Sequence, residues 1–299
     1  MAQRRRPPQR RSSRRPSGPV YVAPVLDPTW KSPYEASSSE RDAREGALQR
    51  LVVRRVVLVT VISVIAGALL ALTTHWSFGL GVVVVGVAYS ALSLRARGRQ
   101  SERQIGLAAS LITRFDVGGT PQDRQRLATI AERLAASFGL DGVTCMVVRD
   151  DVPNAALLSD RHGFSLVVTS GMMSTFDLIE LEGVVAHCMA RQRLGYLGLT
   201  SAVAATANDE LARRAMAREC PDFALRADEV GAATIRYPVG LAAALRRCAA
   251  ARVEAPSYFA SEDYARERFV WFDPYVDGYQ GVAENRNLAT VRAGALEEW

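Results

Sequence analysis

Two long apolar stretches dominate the hydrophobic pattern of the chain. Residues 56–74, VVLVTVISVIAGALLALTT, and residues 76–94, WSFGLGVVVVGVAYSALSL, each contain 19 residues and no charge. At about 1.5 Å of helical rise per residue, such a run just crosses a hydrocarbon core of roughly 30 Å. We therefore predict a transmembrane hairpin over residues 51–98, with His75 in its turn. Two buried core helices would usually contain polar interruptions, and a cleaved signal peptide would lie closer to the N-terminus.

Arginines flank both ends of the predicted hairpin. Three precede the first apolar run and four follow the second, namely Arg50, Arg54, Arg55, Arg95, Arg97, Arg99 and Arg103. The positive-inside rule places both flanks in the cytoplasm. The sequence thus predicts a multi-pass protein of the plasma membrane whose two termini are both cytoplasmic, with the lipid bilayer as its first partner.

The first 50 residues are rich in Arg, Pro and Ser and poor in aliphatic side chains, a composition typical of disorder. We predict a disordered cytoplasmic tail over residues 1–50, which accounts for the excess positive charge of a chain whose net charge is +6. The tail is either a solvated arm or a segment attracted to anionic lipid headgroups. A nucleic-acid function would rest on this tail alone, so we expect no nucleic acid as a partner.

Residues 104–299 have the alternating patterns of a folded domain. A helical stripe covers Pro121–Phe138 and ends at Gly139, and strands are predicted at Val143–Val148, at residues 153–158 and at Phe164–Thr169. The last two strands would form a hairpin, and the pattern then becomes helical as far as Ala251. We predict an α+β fold in which a small antiparallel sheet lies beside a mainly helical unit. The four cysteines form no C-x-x-C pair, which favours free thiols.

The order of these elements resembles the HtpX and CAAX-prenyl-endopeptidase family of membrane zinc metallopeptidases. The likeness is carried by MMSTFDLIELEGVVAH, which ends at His187, by ALRADEVGAATIRYPVGLAAALRRC at residues 224–248, and by FDPYVDGYQGVAENRNLATVRAGAL near the C-terminus. It covers most of residues 121–250 and includes the preceding hairpin. The resemblance implies a gluzincin-like metallopeptidase domain that faces the cytoplasm.

The zinc motif of that family is H-E-x-x-H, in which two histidines on one helix face bind the ion and the glutamate acts as general base. In this chain His187 matches the first histidine, but Cys188 stands in place of the base and Arg191 in place of the second histidine. Counting back four residues from Asp228 places the third ligand of the family at Ala224. We therefore expect no zinc or other cofactor and no catalysis at this degenerate site.

Arg191 admits two interpretations. Its guanidinium could replace the charge of zinc by pairing with Asp228 or Asp222, which predicts a separation within about 4 Å. Alternatively, it is an ordinary solvated residue. For His187 we predict a buried, hydrogen-bonded imidazole rather than a ligand or a general base.

Other site chemistries have less support. A rebuilt metal site would have to draw on His187, Cys188, Cys220 or Asp222, and a cysteine peptidase would need a base that Cys188 lacks, because neighbouring residues on a helix point about 100° apart. The remaining histidines lie elsewhere, His75 in the membrane turn and His162 in a predicted surface turn. No Gly-rich phosphate loop is present, so we expect no nucleotide.

In the resembled family, the strand that corresponds to residues 154–158 borders the cleft and pairs with extended peptides, which requires only backbone groups. We therefore predict a catalytically inactive binding, scaffold or regulatory module at the cytoplasmic membrane face. Its partners would be extended peptide segments or another membrane protein. The alternative is a zinc endopeptidase with a remodelled site that acts on membrane or misfolded proteins.

Overall fold

In the computed structural model, the described residues are 36–73, 75–159, 163–204, 214, 216–218, 220–276 and 286–299. They begin with helices α1 (Ser38–Glu45), α2 (Ala47–Thr73), α3 (Trp76–Arg114) and α4 (Pro121–Phe138). Strands β1 (Val143–Val148), β2 (Ala155–Ser159) and β3 (Phe164–Thr169) follow. The chain continues with α5 (Ser170–Thr175), α6 (Leu178–Arg193), α7 (Tyr196–Ala204), α8 (Phe223–Ile235), α9 (Pro238–Ala250), α10 (Glu262–Glu267) and α11 (Ala289–Glu297).

The predicted disordered tail, residues 1–50, overlaps two helices. Residues 1–35 lie outside the described residues, but residues 36–50 contain α1 and the first turn of α2, so the prediction is wrong for that part. Helix α1 begins with a capping box in which Ser37 and Glu40 satisfy each other's backbone N–H groups. Arg44 then donates a hydrogen bond to the Leu194 carbonyl (3.1 Å) and lies over the Tyr196 ring, which anchors α1 to the folded domain.

Helices α2 and α3 pack along each other through small residues. A Cβ atom on Gly67 would lie 2.6 Å from the Val83 side chain, and one on Gly86 would lie 2.3 Å from Ser63. Val56–Thr73 in α2 is the one segment of the described residues that is long and apolar enough to cross a membrane, with a mean hydropathy of 2.7 and 6% of the segment buried. The apolar part of α3, Trp76–Leu92, is shorter.

The sequence pattern placed the end of the hairpin at residue 98 and the start of the domain at residue 104, but α3 runs through both positions to Arg114. Its last turns are held by packing, because Leu107 and Leu111 are buried beside Trp271 and Val270. Arg114 also forms an ion pair with the buried Glu267 (3.0 Å). One continuous helix therefore joins the apolar segment to the domain.

The sheet is mixed rather than antiparallel, with the strand order β1-β3-β2. The predicted hairpin of β2 and β3 is confirmed, but β1 runs parallel to β3. The loop after β1 causes this order because it crosses the carboxyl end of β3, where the Gly171 N–H donates to the Asp150 carbonyl (2.8 Å). A Cβ atom on Gly171 would lie 2.0 Å from the Asp151 carbonyl oxygen, so the crossing requires glycine at this position.

Both faces of the sheet are covered. Leu157, Leu166 and Val168 pack into the core formed with α4, α6, α8 and α9, whereas Ala156, Leu158 and Val167 pack against the end of α3 and an aromatic group around Trp271. Burial on both faces explains why the strands are nearly continuous apolar runs. The coarse prediction of a mainly helical α+β fold with a small sheet is therefore confirmed.

Candidate functional site

Helix α6 runs through the middle of the core and carries His187. It begins with a capping box in which the Glu180 N–H donates to Asp177 Oδ1 (2.8 Å) and the Asp177 N–H donates to Glu180 Oε2 (2.9 Å). Helix α8 crosses α6 closely, because Gly231 has no side chain. A Cβ atom at this position would lie 2.9 Å from the backbone nitrogen of His187. This crossing brings Asp228, one turn before Gly231 on α8, next to His187.

His187, Asp228 and Arg292 form one buried polar cluster, and each of the three is 0% exposed. His187 Nδ1 lies 2.7 Å from Asp228 Oδ1. Arg292 donates to the same carboxylate in a bidentate manner, from Nε to Oδ2 (2.6 Å) and from Nη2 to Oδ1 (2.8 Å). A bidentate guanidinium is the strongest neutralising partner that a side chain can offer a buried carboxylate.

The protonation states of this cluster follow from its burial and its charges. Burial alone would raise the pKa of Asp228, but Arg292 and then His187 lower it below its usual value, so Asp228 is ionised. Burial lowers the pKa of His187 to about 4, against the opposing influence of Asp228, so the imidazole is neutral near pH 7. Because an ionised carboxylate only accepts hydrogen bonds, Nδ1 must carry the proton. The lone pair of Nε2 is then buried without a hydrogen-bond partner among the described residues.

The other positions predicted for the site, Cys188, Arg191 and Ala224, are also buried, and among the described residues they form no group of three potential metal ligands with His187. Burial raises the pKa of the Cys188 thiol to about 12, which keeps it protonated. Ala224 offers no side-chain donor, and its backbone N–H donates to Asn287 Oδ1 (3.0 Å). Asp222, which we considered for a rebuilt site, lies 3.4 Å from Arg286.

Both interpretations of Arg191 are wrong. It is 0% exposed, so it is not a solvated residue. Among the described residues no carboxylate is its ion-pair partner, since Arg292 holds Asp228. Arg191 instead donates to backbone carbonyls, from Nη1 to Val270 (2.6 Å) and Trp271 (3.3 Å) and from Nη2 to Phe269. Thr200 Oγ1 accepts a further hydrogen bond from Nη2 (3.1 Å).

Residues 269–273, which we call the strap, lie along the outer edge of β2. The Phe272 N–H donates to the Ala155 carbonyl (2.7 Å), and Ala156 forms an antiparallel bridge with Trp271. Asn154 completes the contact with two hydrogen bonds to the backbone of Asp273, at 2.9 and 3.0 Å. The edge at which the sequence predicted peptide binding is thus occupied, at its first two residues, by the chain's own strap.

The two buried arginines hold this strap from the side of α6. Arg191 binds three successive carbonyls, and Arg292 Nη1 binds the next one, that of Phe272 (2.8 Å). The Phe272 ring packs edge-on against the His187 ring, with the ring centroids 4.9 Å apart. The strap therefore covers His187 as well as the β2 edge.

Arg292 and the strap belong to the site but were not predicted from the sequence as parts of it. A signal for Arg292 was present, because it shares the helical stripe of Ala289, Ala293 and Leu296, and a charge on an otherwise apolar stripe indicates a buried partner. The strap left no comparable signal, since its contacts with β2 and with Arg191 are made by its backbone. His162, in the predicted surface turn, lies outside the described residues, and His75 caps α3.

The residues present do not fit a catalytic zinc ion. Three protein ligands are usual, and the cluster offers one imidazole nitrogen beside a protonated thiol and two guanidinium groups. Among the described residues no group of three His, Cys, Asp or Glu side chains could hold a metal ion.

Comparisons of the chain with protein-family models, curated proteins and solved structures found no match.

Proposed function

We propose that this chain is a membrane-anchored, catalytically inactive relative of the HtpX and CAAX-prenyl-endopeptidase family that acts as a binding or scaffold module at the cytoplasmic membrane face. The observation that carries the proposal is the pairing of His187 with Asp228 across α6 and α8. A carboxylate that accepts the Nδ1 proton of a histidine is the usual outer-shell support of a metal-binding imidazole. The support has been kept here, while the other ligand positions hold Arg191 and Ala224.

The loss of catalysis follows from charge and access. Burial lowers the pKa of Arg191 to about 10, which leaves its guanidinium charged at neutral pH and unfavourable for a nearby divalent ion. A hydrolytic zinc site must also keep one position open for water and substrate. His187 is instead fully buried, and Phe272 of the strap packs against its ring.

The membrane anchor is part of the same proposal. Val56–Thr73 would be the first span and the apolar part of α3 the second, which returns to the side of origin. Two contacts favour this arrangement, because α1, just before α2, packs on Tyr196 and the end of α3 packs on Glu267 of the same domain. With both flanks on one side, their arginines favour the cytoplasm.

A remodelled zinc endopeptidase is the second candidate. It is favoured by one observation, the buried lone pair of His187 Nε2, which Asp228 orients as it would for a ligand. It would require further donors to move next to His187.

Metal analysis and a proteolysis assay separate the two candidates. The full chain, purified in detergent without chelators, is expected to contain no stoichiometric zinc and to leave unfolded casein intact. His187→Asn is the matched variant, because the asparagine amide keeps a donor to Asp228 but removes Nε2. Zinc bound one-to-one by the wild type and lost in His187→Asn would overturn the proposal of an inactive site.

A further inference from the structure

Strand β1 forms the edge of the sheet opposite β2 and the strap. Strand β1 pairs with β3 on one side only. On its outer side, residues 116–118 cover the carboxyl half, where the Gly118 N–H donates to the Val147 carbonyl (2.9 Å) and the Arg149 N–H donates to the Asp116 carbonyl (2.9 Å). The amino half of β1 lies beyond the reach of this segment.

Strand geometry identifies the backbone groups that face outward there. The backbone C=O of Val147 faces away from β3, so the backbone groups of its alternate neighbours Val143 and Cys145 face the same way. Those of Thr144 and Met146 face β3. Within the part of the chain that the structure describes, the N–H and C=O groups of Val143 and Cys145 have no backbone partner on that side. Such an edge is a template for one more strand.

A groove of about 820 Å³ lies beside this edge, between β1 and the outer face of α4. Its apolar lining consists of small and medium side chains, including Ala128, Ala135, Leu140 and Cys145. Charged groups of both signs, Arg124, Glu132 and Asp141, also line the groove. An added strand presents alternate side chains to one face, so every second residue of an incoming segment would lie in this groove.

We propose that the outer edge of β1 at Val143 and Cys145, with the adjoining groove, binds an extended segment of a partner polypeptide by strand addition. The segment would carry small or medium apolar residues at alternate positions, which the alanines and Leu140 accommodate, and its backbone would supply the missing hydrogen bonds. This inference rests on the proposed binding role and names the surface for it. This surface differs from the β2 edge, whose first two residues are occupied by the strap.

A labelled peptide of alternating threonine and valine provides the probe, with the detergent-solubilised full chain as receptor and fluorescence anisotropy as readout. Cys145→Pro removes the outward N–H without breaking a bond to β3, and proline is tolerated at such edge positions. This variant is expected to bind the peptide about tenfold more weakly or worse, whereas Cys145→Ala, which keeps the N–H, binds it normally. Methylation of alternate backbone nitrogens of the peptide should weaken binding in the same way.

A second pair of variants tests the groove without touching the strand. Ala128→Arg fills the groove from α4 and should abolish binding, whereas Thr129→Arg adds the same charge at an exposed position outside the groove lining and should not. Hydrogen exchange gives a readout that does not depend on the peptide. The Cys145 amide should exchange quickly in the free protein, slowly with peptide bound, and the Met146 amide slowly in both.

Several results would overturn the assignment of this edge. They are the absence of peptide binding by the wild type, equal binding by Cys145→Pro and Ala128→Arg, or a Cys145 amide already protected in the free protein. Concentration-dependent self-association that Cys145→Pro abolishes would assign the edge to a second copy of the chain instead. Each of these outcomes is distinguishable from failure of the proposed function, because none changes the zinc content or the proteolysis assay.

Discussion

Arginine performs two different tasks in the buried cluster, and its geometry suits both. Arg292 holds one carboxylate with two parallel hydrogen bonds, whereas Arg191 spreads its donors over a turn of backbone and one hydroxyl. Lysine would suit both tasks less well, because its ammonium group has three tetrahedral donors in place of the five donors of a planar guanidinium. Removal of either arginine would leave buried acceptors unpaired, which costs more than the hydrogen bonds themselves contribute.

The pH dependence of stability should report the state of His187. Its folded-state pKa of about 4 lies below the value of 6.5 for an exposed histidine, so the unfolded chain binds more protons between these two values. His187 therefore contributes its full stabilisation above pH 6.5, and this contribution, at most about 3 kcal/mol, is lost as the pH falls from 6.5 towards 4. Thermal unfolding followed by circular dichroism at several pH values measures the effect.

The control for this experiment is His187→Asn, which donates to Asp228 but does not titrate. Its melting temperature should fall less steeply over the same range. The lowered pKa of Asp228 adds its own loss only below about pH 4, the value of an unperturbed aspartate, so it does not obscure the window. Equal slopes for the variant and the wild type would contradict a neutral, buried imidazole.

At the level of single residues, the sequence predicted burial and hydrogen bonding of His187 correctly. It proposed Arg191 as the partner of Asp228 or Asp222, but Arg292 pairs with Asp228 and Arg286 lies beside Asp222. Motif spacing places Arg191 near His187 along one helix, but Arg292 lies more than sixty residues beyond Asp228, and only the packing of α11 brings it into contact.

Among the secondary-structure elements, the pair α2 and α3 depends most clearly on small residues. Gly67 and Gly79 lie so close that a Cβ atom on Gly79 would be 2.3 Å from the Gly67 carbonyl oxygen. Thr60 Oγ1 and Ser90 Oγ, 2.7 Å apart, form a hydrogen bond between the same two helices. In a hydrocarbon environment, close backbone approach and such hydrogen bonds are what hold helices together.

We predict that Gly67→Leu separates the two helices, whereas Gly81→Leu does not, because a Cβ atom on Gly81 meets nothing within 4 Å. Overpacking of this kind costs roughly 1–3 kcal/mol. The rate of disulfide formation between Thr60→Cys and Ser90→Cys, in a chain with Cys145→Ala, measures the separation. Slow cross-linking with Gly67→Leu and normal cross-linking with Gly81→Leu is the expected result, and equal rates would refute this packing.

The helices were more predictable than the sheet. Apolar periodicity and caps such as the one at Thr120 are local signals, and α4 lies over Pro121–Phe138 as predicted. The order of the strands depends on where the loop between β1 and β2 crosses, which is a matter of contacts with Gly171 that no periodicity records. The end of α3 was misplaced for a similar reason, because burial of Leu111 extends the helix beyond its apolar run.

For the molecule as a whole, α1 and α3 tie the domain to the α2–α3 pair at two places. A single contact would leave the domain free to swing, but Arg44 over Tyr196 and Arg114 beside Glu267 attach it through different helices. If α2 spans a membrane, the flanks of the pair therefore lie on the same side as the domain.

We predict that a cysteine introduced at Ser38 or at Trp299, one at a time in a chain with Cys145→Ala, reacts with a membrane-impermeant maleimide only after the cells are permeabilised. The three remaining native cysteines are buried. A cysteine at Ser77, beside the turn between α2 and α3, should react in intact cells. Labelling of all three sites from one side only would contradict the hairpin. Reaction of Ser38 and Trp299 in intact cells, with Ser77 protected, would reverse the orientation.

The hydrogen bonds from Arg191 to the strap have an evolutionary consequence for a chain of the proposed ancestry. A histidine restored at this position would abandon three buried carbonyls and Thr200, and a glutamate restored at Ala224 would enter a fully buried site. Each step towards the lost motif would lower stability by about 1–3 kcal/mol for every group left unpaired, before enough ligands existed to bind an ion. Selection for folding stability alone would then remove these intermediate sequences, so such a lineage would not regain hydrolytic activity.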